Sequence, residues 1–224
     1  MTETTINADF TKLAMVHTAE VDWQASPSPS VWRKRLDLAG AVEASRVTAV
    51  VRYDADSAFA EHPHPDGEEI LVLDGVFSDE HGDYPAGSYL LNPEGFSHAP
   101  FSRQGCVLFV KLRQYPGTAR RHIIVDTTSA EWQARPVPGV TAITLYEEAG
   151  YPETMRLVRF APDTTFPDHD HPGGEELFVI DGKIEDAHGA YGPGSWVRYP
   201  VGSRHEVYSE AGCTFYVKAG HLAG

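Results

Sequence analysis

Hydrophobic positions along the chain come in short continuous or alternating runs, and no window keeps a helical period. Runs such as RVTAVVRY, EILVLDGVF, GSYLLN and CVLFVKL are rich in β-branched and aromatic residues, and clusters of Gly, Pro, Asp and Asn separate them. Runs of this length between turn residues predict β-strands. Many short strands with little helix indicate an antiparallel barrel or jelly roll, so the predicted fold class is all-β.

The pattern of runs and turns occurs twice. At a constant displacement of 107 residues, segment 50–75 aligns with 157–182, and segment 77–98 aligns with 184–205. The first pair reads VVRYDADSAFAEHPHPDGEEILVLDG and LVRFAPDTTFPDHDHPGGEELFVIDG. Self-similarity over this length indicates that a whole domain is duplicated.

The repeat also predicts the domain organisation. Trp23 pairs with Trp132 at a displacement of 109, so the similarity extends upstream of the aligned segments. We place the N-terminal domain at residues 1–117 and the C-terminal domain at 118–224. The connector PGTA between the two copies is short, which favours two barrels that pack together.

Composition and charge mainly exclude classes of partner. The 32 acidic and 18 basic side chains give a formal charge of −14, which repels phosphate backbones and anionic lipids, and no run of Lys or Arg supplies a basic patch. We therefore expect neither nucleic acid nor membrane as a partner. The first 30 residues have no basic or apolar leader pattern, and no apolar run reaches bilayer length, which predicts a soluble, cytoplasmic protein.

Histidines and a glutamate recur in both copies at the same spacing. Imidazole nitrogens and carboxylate oxygens are good ligands for divalent transition metals, and histidines at i and i+2 share one face of a strand. A glutamate on the same face as apolar Ile70 and Val72 points inward, where an unpaired charge is costly and a metal ion would remove the cost. The sequence therefore predicts two metal sites, with these ligands: His62, His64, Glu68 and His98 in the first copy, and His169, His171, Glu175 and His205 in the second.

Two alternatives remain open at this point. The histidines could be core or surface residues that repeat because the domain is duplicated, although duplication does not explain the His-x-His-x-x-x-Glu spacing. One copy could also have lost its ion. The distal histidine of each copy closes a Pro-x-Gly-x-x-His turn, in which the proline fixes one dihedral angle and the glycine permits a positive one, so the turn can aim His98 or His205 into the barrel.

These residues resemble the two motifs of the cupin superfamily. The first motif is His-x-His-x-x-x-Glu, six residues and Gly, and the second is Gly, five residues and Pro-x-Gly-x-x-His; both are complete in both copies. The words HPxGEE, LDG or IDG, HGxY, PxGS and GCxxxVK are most similar to the cupin domain of the anti-sigma factor ChrR. The resemblance implies two tandem RmlC-like double-stranded β-helix (jelly-roll) barrels, packed as a bicupin, that hold divalent ions on the eight residues named above.

The resemblance implies zinc foremost, with iron, nickel or manganese as alternatives. It favours a protein that senses a small molecule or oxidative stress and regulates a partner. ChrR also carries a helical sigma-binding module with its own zinc ligands, and this sequence has a second cupin instead, so direct sigma-factor binding is not expected. We expect a monomer or a homodimer.

Two other functions fit the same residues. Four protein ligands close a tetrahedral zinc ion but leave positions open on an ion that takes five or six ligands. An iron(II)-dependent dioxygenase that cleaves a small diketone or hydroxyketone is therefore the alternative, since similar cupins do such chemistry. A purely structural pair of ions is the third hypothesis, and whether the protein is an enzyme stays open.

The second copy differs from the first around the metal turn. Arg198 and Tyr199 stand where copy one has Leu91 and Asn92, and Arg204 also lies in the turn. Two guanidinium groups near the ion predict a pocket for an anionic small molecule, while surface ion pairs are the alternative.

Two further pairs of repeated residues flank the apolar strands that end each copy. Cys106 and Cys213 begin these strands, and we expect them to be inert buried thiols. Lys111 and Lys218 lie near the ends of the strands, where we expect solvated side chains.

Overall fold

The computed structural model describes residues 5–40 and 45–223. The described residues contain a 3-10 helix at Thr18–Glu20 and no α-helix. The strands of the first part of the chain are β1 (Ala14–His17), β2 (Gln24–Ala25), β3 (Val31–Ala39), β4 (Arg46–Tyr53), β5 (Ser57–Ala58), β6 (His62–Pro63), β7 (Glu68–Asp79), β8 (Gly82–Pro85), β9 (Ser88–Asn92), β10 (Ser97–His98), β11 (Phe101–Ser102) and β12 (Cys106–Leu112). They are followed by β13 (Ile123–Asp126), β14 (Gln133–Ala134), β15 (Val140–Tyr146), β16 (Thr154–Phe160), β17 (Thr164–His171), β18 (Glu175–Gly182), β19 (Ile184–Asp186), β20 (Gly189–Tyr191), β21 (Ser195–Tyr199), β22 (Ser203–Ser209) and β23 (Cys213–Ala219).

The chain forms two compact units, and the all-β prediction is confirmed in both. Unit 1 comprises the described residues of Met1–Ala8 and Val21–Ser129, and unit 2 those of Asp9–Glu20 and Ala130–Gly224. The predicted domains, 1–117 and 118–224, therefore differ from these units in the placement of the first strand of each copy. Strand β1 pairs with β21 in unit 2, and its repeat equivalent β13 pairs with β9 in unit 1.

Unit 1 is a barrel with one long antiparallel sheet. Its strand order is β13-β9-β7-β12-β4-β3-β2, and the short strands β5, β6, β8, β10 and β11 form the opposite wall. Alternate residues of the long strands point inward, so that Ile70, Val72, Leu90, Leu108 and Val110 share the core with the aromatic rings of the opposite wall. The open end of this core carries the first histidine cluster.

Unit 2 repeats this architecture with two well-formed sheets. One has the order β1-β21-β18-β23-β16-β15-β14, and the other has the order β17-β22-β19-β20. Leu177, Val179, Val197, Val207 and Phe215 are buried between them. Burial of such side chains contributes about 1.5–3 kcal/mol each, so the two-sheet core is the main source of stability in the unit.

The outer face of each long sheet carries a buried lysine, and the prediction that these lysines are solvated is wrong. Lys111 and Lys218 are both 0% exposed. In the sheet register Lys111 lies opposite Glu69, and Lys218 lies opposite Glu176. A buried ammonium group needs polar partners, and Lys111 Nζ donates a hydrogen bond to Thr48 Oγ1 at 3.0 Å.

Two smaller observations complete the fold. Cys106 and Cys213 are buried and unbridged, as predicted, and burial raises the pKa of the two thiols to about 11 and about 12. Such thiols carry little thiolate at neutral pH and are poor nucleophiles. Among the described residues, no helix has the length and apolar character that crossing a bilayer would require.

Candidate metal centres

The sheet pairing brings the histidines of each copy together at the wall of a barrel. In unit 1, β6 pairs with β10 so that His62 lies opposite His98. In unit 2, β17 pairs with β22 so that His169 lies opposite His205. The i+2 histidine follows on the same side of the chain, and the glutamate begins the next strand, β7 or β18. Local strand geometry thus directs the four predicted side chains of each unit toward one another.

The four predicted side chains of unit 2 form one cluster. Ligand atoms of His169, His171, Glu175 and His205 all lie within 4.8 Å of one another. The carboxylate of Glu175 is 3.4 Å from His171 Nδ1 and 3.7 Å from His205 Nε2. The Nε2 atoms of His171 and His205 are buried and have no hydrogen-bond partner among the described residues. Leaving buried polar atoms unsatisfied is costly, and a metal ion is the group that this donor set fits.

The cluster of unit 1 is tighter around its histidines. Ligand atoms of His62, His64 and His98 lie within 4.8 Å of one another, and the Nε2 atoms of His64 and His98 are 2.9 Å apart. Glu68 Oε2 lies 3.4 Å from His64 Nε2 and 3.5 Å from His98 Nε2. Glu68 Oε2 also accepts a hydrogen bond from Asn92 Nδ2 at 3.0 Å. The donor chemistry again fits a divalent ion.

An aspartate orients the distal histidine of each cluster, and the sequence analysis missed it. His98 Nδ1 is 3.1 Å from Asp79 Oδ2, and His205 Nδ1 is 3.0 Å from Asp186 Oδ2. An Nδ1–H that donates to a carboxylate leaves Nε2 free as a metal ligand. The available signal was the repeat itself, because the two aspartates are also displaced by 107 residues.

The first histidine of each motif is oriented by the backbone. The Nδ1 atom of His62 is 2.9 Å from the carbonyl oxygen of Ala60, and that of His169 is 2.9 Å from the carbonyl oxygen of Pro167. When Nδ1–H donates to these carbonyls, Nε2 faces the cluster. Both units therefore use the same arrangement to present nitrogen lone pairs to one point.

Burial shifts the pKa of several cluster residues. Burial, followed by the neighbouring His62 and Arg113, lowers the pKa of His64 to about 3. Burial, followed by the histidines around it, lowers the pKa of His171 to about 4. Burial raises the pKa of Glu68, and it raises the pKa of Glu175 to about 7. Neutral imidazole is the form that binds metals, and a buried carboxylate without a cation is destabilised.

The two clusters differ at one supporting position. In unit 1, Asn92 donates to the carboxylate of Glu68 itself. In unit 2, the equivalent Tyr199 donates to Asp186 Oδ2 at 2.6 Å, and its ring centroid is 4.3 Å from that of His205. The first unit thus supports the carboxylate, whereas the second supports the distal histidine.

Each cluster forms part of the wall of a cavity inside its barrel. The cavity of unit 1 has a volume of about 280 Å³, and that of unit 2 about 210 Å³. Apolar side chains such as Ile70, Leu108, Leu177 and Phe215 make up most of the walls. A cavity of this kind can exclude water and hold a small organic molecule beside an ion.

The structure places the three predicted ligand-pocket residues elsewhere. Arg198, which neighbours the inward Tyr199 on β21, is fully buried on the opposite face, and its guanidinium lies 4.2 Å from the ring of Phe10. Arg204 is exposed and forms an ion pair with Asp168 at 2.8 Å. Tyr199 packs behind His205. None of the three belongs to the described residues that line the cavity, which instead include Arg135 and Arg156.

Sequence comparison connects both units with one family. The family model for the ChrR cupin-like domain matches residues 11–116 and again residues 120–223. Among curated proteins, none matches the chain significantly.

Solved structures of similar fold cover nearly the whole chain. They include a "putative dioxygenase" of Nostoc punctiforme, at 14% identity and a TM-score of 0.78, over 96% of this chain and 85% of that one. The E. coli protein YlbA has 16% identity and a TM-score of 0.72, over 97% of this chain and 94% of that one. A mutant of the Bacillus subtilis oxalate decarboxylase has 13% identity and a TM-score of 0.65, over 94% and 78%. At these identities the likeness establishes the fold alone.

Proposed function

Because the chain belongs to the ChrR cupin-like family and contains its domain twice, we propose that it is a metal-dependent enzyme with one divalent ion in each barrel. The proposed reaction is cleavage of a small diketone or hydroxyketone by dioxygen, with iron(II) as the ion. One observation carries the proposal: the imidazoles of His171 and His205, whose buried Nε2 atoms have no hydrogen-bond partner among the described residues, converge with Glu175 at the wall of a cavity of about 210 Å³.

The cavity supports an enzyme over a purely structural ion. A structural zinc site is closed by four protein ligands and needs no empty space beside it. Here a cavity adjoins the donors in both units, so an ion that takes five or six ligands would keep positions facing that space. Iron(II) bound there would supply positions for substrate and dioxygen and the redox chemistry of the cleavage. The "putative dioxygenase" of similar fold adds support by analogy.

The protein's own residues would prepare this site in three ways. The three histidines and the glutamate of each unit would hold the ion. Asp79 and Asp186 would keep a proton on Nδ1 of His98 and His205, so that Nε2 faces the ion. The apolar walls, which in unit 2 include Leu177 and Phe215, would exclude bulk water from a reactive substrate.

Cobalt(II) substitution tests whether positions on the ion are open. Tetrahedral cobalt gives intense visible bands, and five- or six-coordinate cobalt gives weak ones. We expect weak bands that shift when azide is added, in the full chain and in a His188→Ala control, which removes an exposed repeated histidine outside the cluster. Intense bands that azide leaves unchanged would contradict an open site.

Oxygen uptake tests the chemistry itself. Protein loaded anaerobically with iron(II) is mixed with 2,4-pentanedione, acetoin and related compounds, and oxygen consumption is recorded with an electrode. We expect uptake that depends on one of these compounds and disappears in the variant His62→Ala/His64→Ala/His169→Ala/His171→Ala. An iron-loaded protein with open positions and no uptake across the panel would overturn the dioxygenase assignment.

A second candidate function is sensing, and the match to the ChrR cupin-like domain favours it. In this case zinc occupies the sites, and a small molecule or oxidant changes a partner interaction. A sensor binds its ligand without turnover, so purification with stoichiometric zinc and ligand-dependent stabilisation in the absence of oxygen uptake would support sensing over catalysis.

A further inference from the structure

The described residues that line each cavity include more basic than acidic side chains, although the protein is strongly acidic. The chain has a formal charge of −14 and 32 acidic side chains. Among the described residues that line each cavity, one is acidic, Glu68 or Glu175, and that residue belongs to the metal cluster. Two arginines also line each cavity. A bound divalent ion would add positive charge to this lining, and such a lining favours an anionic ligand.

The remaining walls restrict the chemistry of this anion. In unit 2, the described lining residues outside the cluster and the two arginines are all apolar, among them Val158, Phe166 and Val207. A cavity with few donors suits a carboxylate, whose two oxygens match one planar guanidinium, better than a phosphate group with three oxygens. Volumes of about 210 and 280 Å³ correspond to about seven and nine water molecules, which limits the ligand to a small organic acid.

The arginines of the two cavities come from different places in the repeat. Arg33 in unit 1 pairs with Val51, and the residue with the equivalent register in unit 2 is Ala142, which pairs with Val158. Arg156 lies on β16 of unit 2, where unit 1 has Ala49 at the equivalent position of β4.

The second arginine of each cavity also has no arginine at the equivalent position of the other unit. Arg135 stands where unit 1 has Ser26, and both backbone nitrogens donate to the equivalent valine carbonyl. Arg113 follows β12 in unit 1, where unit 2 has Gly220. The positive charge is therefore present in both cavities, but it enters from different walls.

We propose that each barrel binds a small organic carboxylate through its own pair of arginines, and that the two barrels select different carboxylates. Arg33 and Arg113 pair the acid group in unit 1, and Arg135 and Arg156 pair it in unit 2. The inference rests on the proposed function and narrows its substrate class, because the diketone or hydroxyketone of each barrel would also carry a carboxylate group. Arg156 Nη2 is 2.9 Å from Glu147 Oε2, and because the Glu147 side chain is 62% exposed, a carboxylate ligand can replace it.

The test measures binding to one barrel at a time. In the His62→Ala/His64→Ala variant, cobalt(II) reports on unit 2, and in the His169→Ala/His171→Ala variant it reports on unit 1. Acetate and benzoate are compared with the neutral acetamide and benzamide, and with inorganic phosphate, by the visible spectrum and by calorimetry. We expect each carboxylate to bind at least about 10-fold more tightly than its amide.

Substitution of the arginines then assigns the contact. Arg135→Gln/Arg156→Gln should weaken carboxylate binding to unit 2 by about 10- to 100-fold, and Arg33→Gln/Arg113→Gln should do the same for unit 1. Arg204→Gln is the matched control, because this arginine lies in unit 2 but outside the cavity lining, and it should change nothing. Cobalt stoichiometry and thermal unfolding show whether each variant remains folded.

Three outcomes would overturn the proposal. Acids and amides could bind equally, the cavity arginines could be replaced without effect, or phosphate could bind more tightly than every carboxylate. An identical order of affinities in both units would remove the claim that the barrels differ. Binding needs no turnover, so the two proposals can fail separately. Carboxylate binding without oxygen uptake would contradict the proposed enzyme and support the carboxylate site. Oxygen uptake without carboxylate binding would support the enzyme and contradict the carboxylate site.

Discussion

Asp79 and Asp186 hold the distal histidines of the two clusters, and their effect on the ion can be measured. We expect Asp186→Asn to weaken zinc binding by unit 2 by about 10- to 100-fold, because an uncharged amide replaces the carboxylate that fixes the Nδ1–H of His205. Asp181→Asn, which changes an exposed aspartate of the neighbouring strand, is the control and should have no effect. Competition with a chromophoric chelator gives the affinities. Equal affinity in the two variants would show that the hydrogen bond does not support the ligand.

The pKa of Glu175 predicts how metal binding by unit 2 depends on pH. Burial raises this pKa to about 7, so the metal-free cluster holds a proton on the carboxyl at pH 6 that an ion must displace. Affinity should therefore rise by up to about tenfold per pH unit below 7 and level off above it. Because the folded pKa lies above the usual carboxyl value of 4.5, the stability contribution of Glu175 in the metal-free protein is present below pH 4.5 and lost as pH rises through about 7.

Calorimetry in buffers of different ionisation enthalpy measures the protons released. We expect about one proton from unit 2 at pH 6 and almost none at pH 8, and Glu175→Gln should abolish the difference. His171 adds little above pH 5, since burial lowers its pKa to about 4. Proton release that does not change with pH would contradict this account.

Side-chain direction explains which site residues the sequence could reveal. The eight cluster residues follow strict spacings on strands. The structure brings the ligand atoms of seven of them within 4.8 Å of one another in their own unit, and the eighth, Glu68, lies 3.4 Å from His64 and 3.5 Å from His98. The sequence predicts Arg198 in the pocket because it neighbours the metal turn, but adjacent residues of a strand face opposite sides, and Tyr199 takes the inward side. The alternation Arg156, Val158, Phe160 on one strand carried the missing signal, because all three line the cavity.

At the level of elements, the glycine seven residues after each cluster glutamate is required by a close approach of two strands. Gly182 has φ of 74°, and a Cβ there would lie 2.1 Å from the carbonyl oxygen of Gly212. We expect Gly182→Ala to destabilise the protein by about 2–4 kcal/mol. Gly192→Ala is the control, because nothing lies within 4 Å of its added Cβ, and it should change stability by less than about 0.5 kcal/mol. Chemical unfolding measures both, and equal stabilities would show that the backbone yields without cost.

The exchange of first strands shows what the repeat alone does not reveal. Strand β1 and its equivalent β13 carry similar apolar residues, so either barrel could accept either strand by pattern alone. In the structure β1 pairs with β21 in unit 2, and β13 pairs with β9 in unit 1. Self-similarity predicts the number of domains and the strands within them. The pairing partner of an edge strand depends on the path of the chain, which hydrophobic periodicity does not encode.

For the whole molecule, duplication has kept the metal chemistry and changed its surroundings. The donor set, the orienting aspartate and the apolar barrel are repeated, whereas Asn92 and Tyr199 support different ligands of the ion, and the cavity arginines come from different strands. The sequence also does not predict the burial of Lys111 and Lys218 on the outer faces. A lysine near the end of an apolar strand is usually solvated, and the strand pattern does not show whether the outer face of the sheet is buried. Two barrels with one chemistry and two recognition surfaces are the consequence.

The number of metal ions bound per chain tests directly whether each unit holds one metal centre. Protein purified without added metal is reconstituted and analysed by native mass spectrometry. The proposal of two metal centres predicts two ions in the full chain. It predicts the same number in the control His81→Ala/His188→Ala, whose histidines lie outside both clusters. It predicts one ion in His62→Ala/His64→Ala and one in His169→Ala/His171→Ala. Two results would contradict the two metal centres. One is a reconstituted chain that binds no ion, and the other is a chain that keeps both ions after either pair of substitutions.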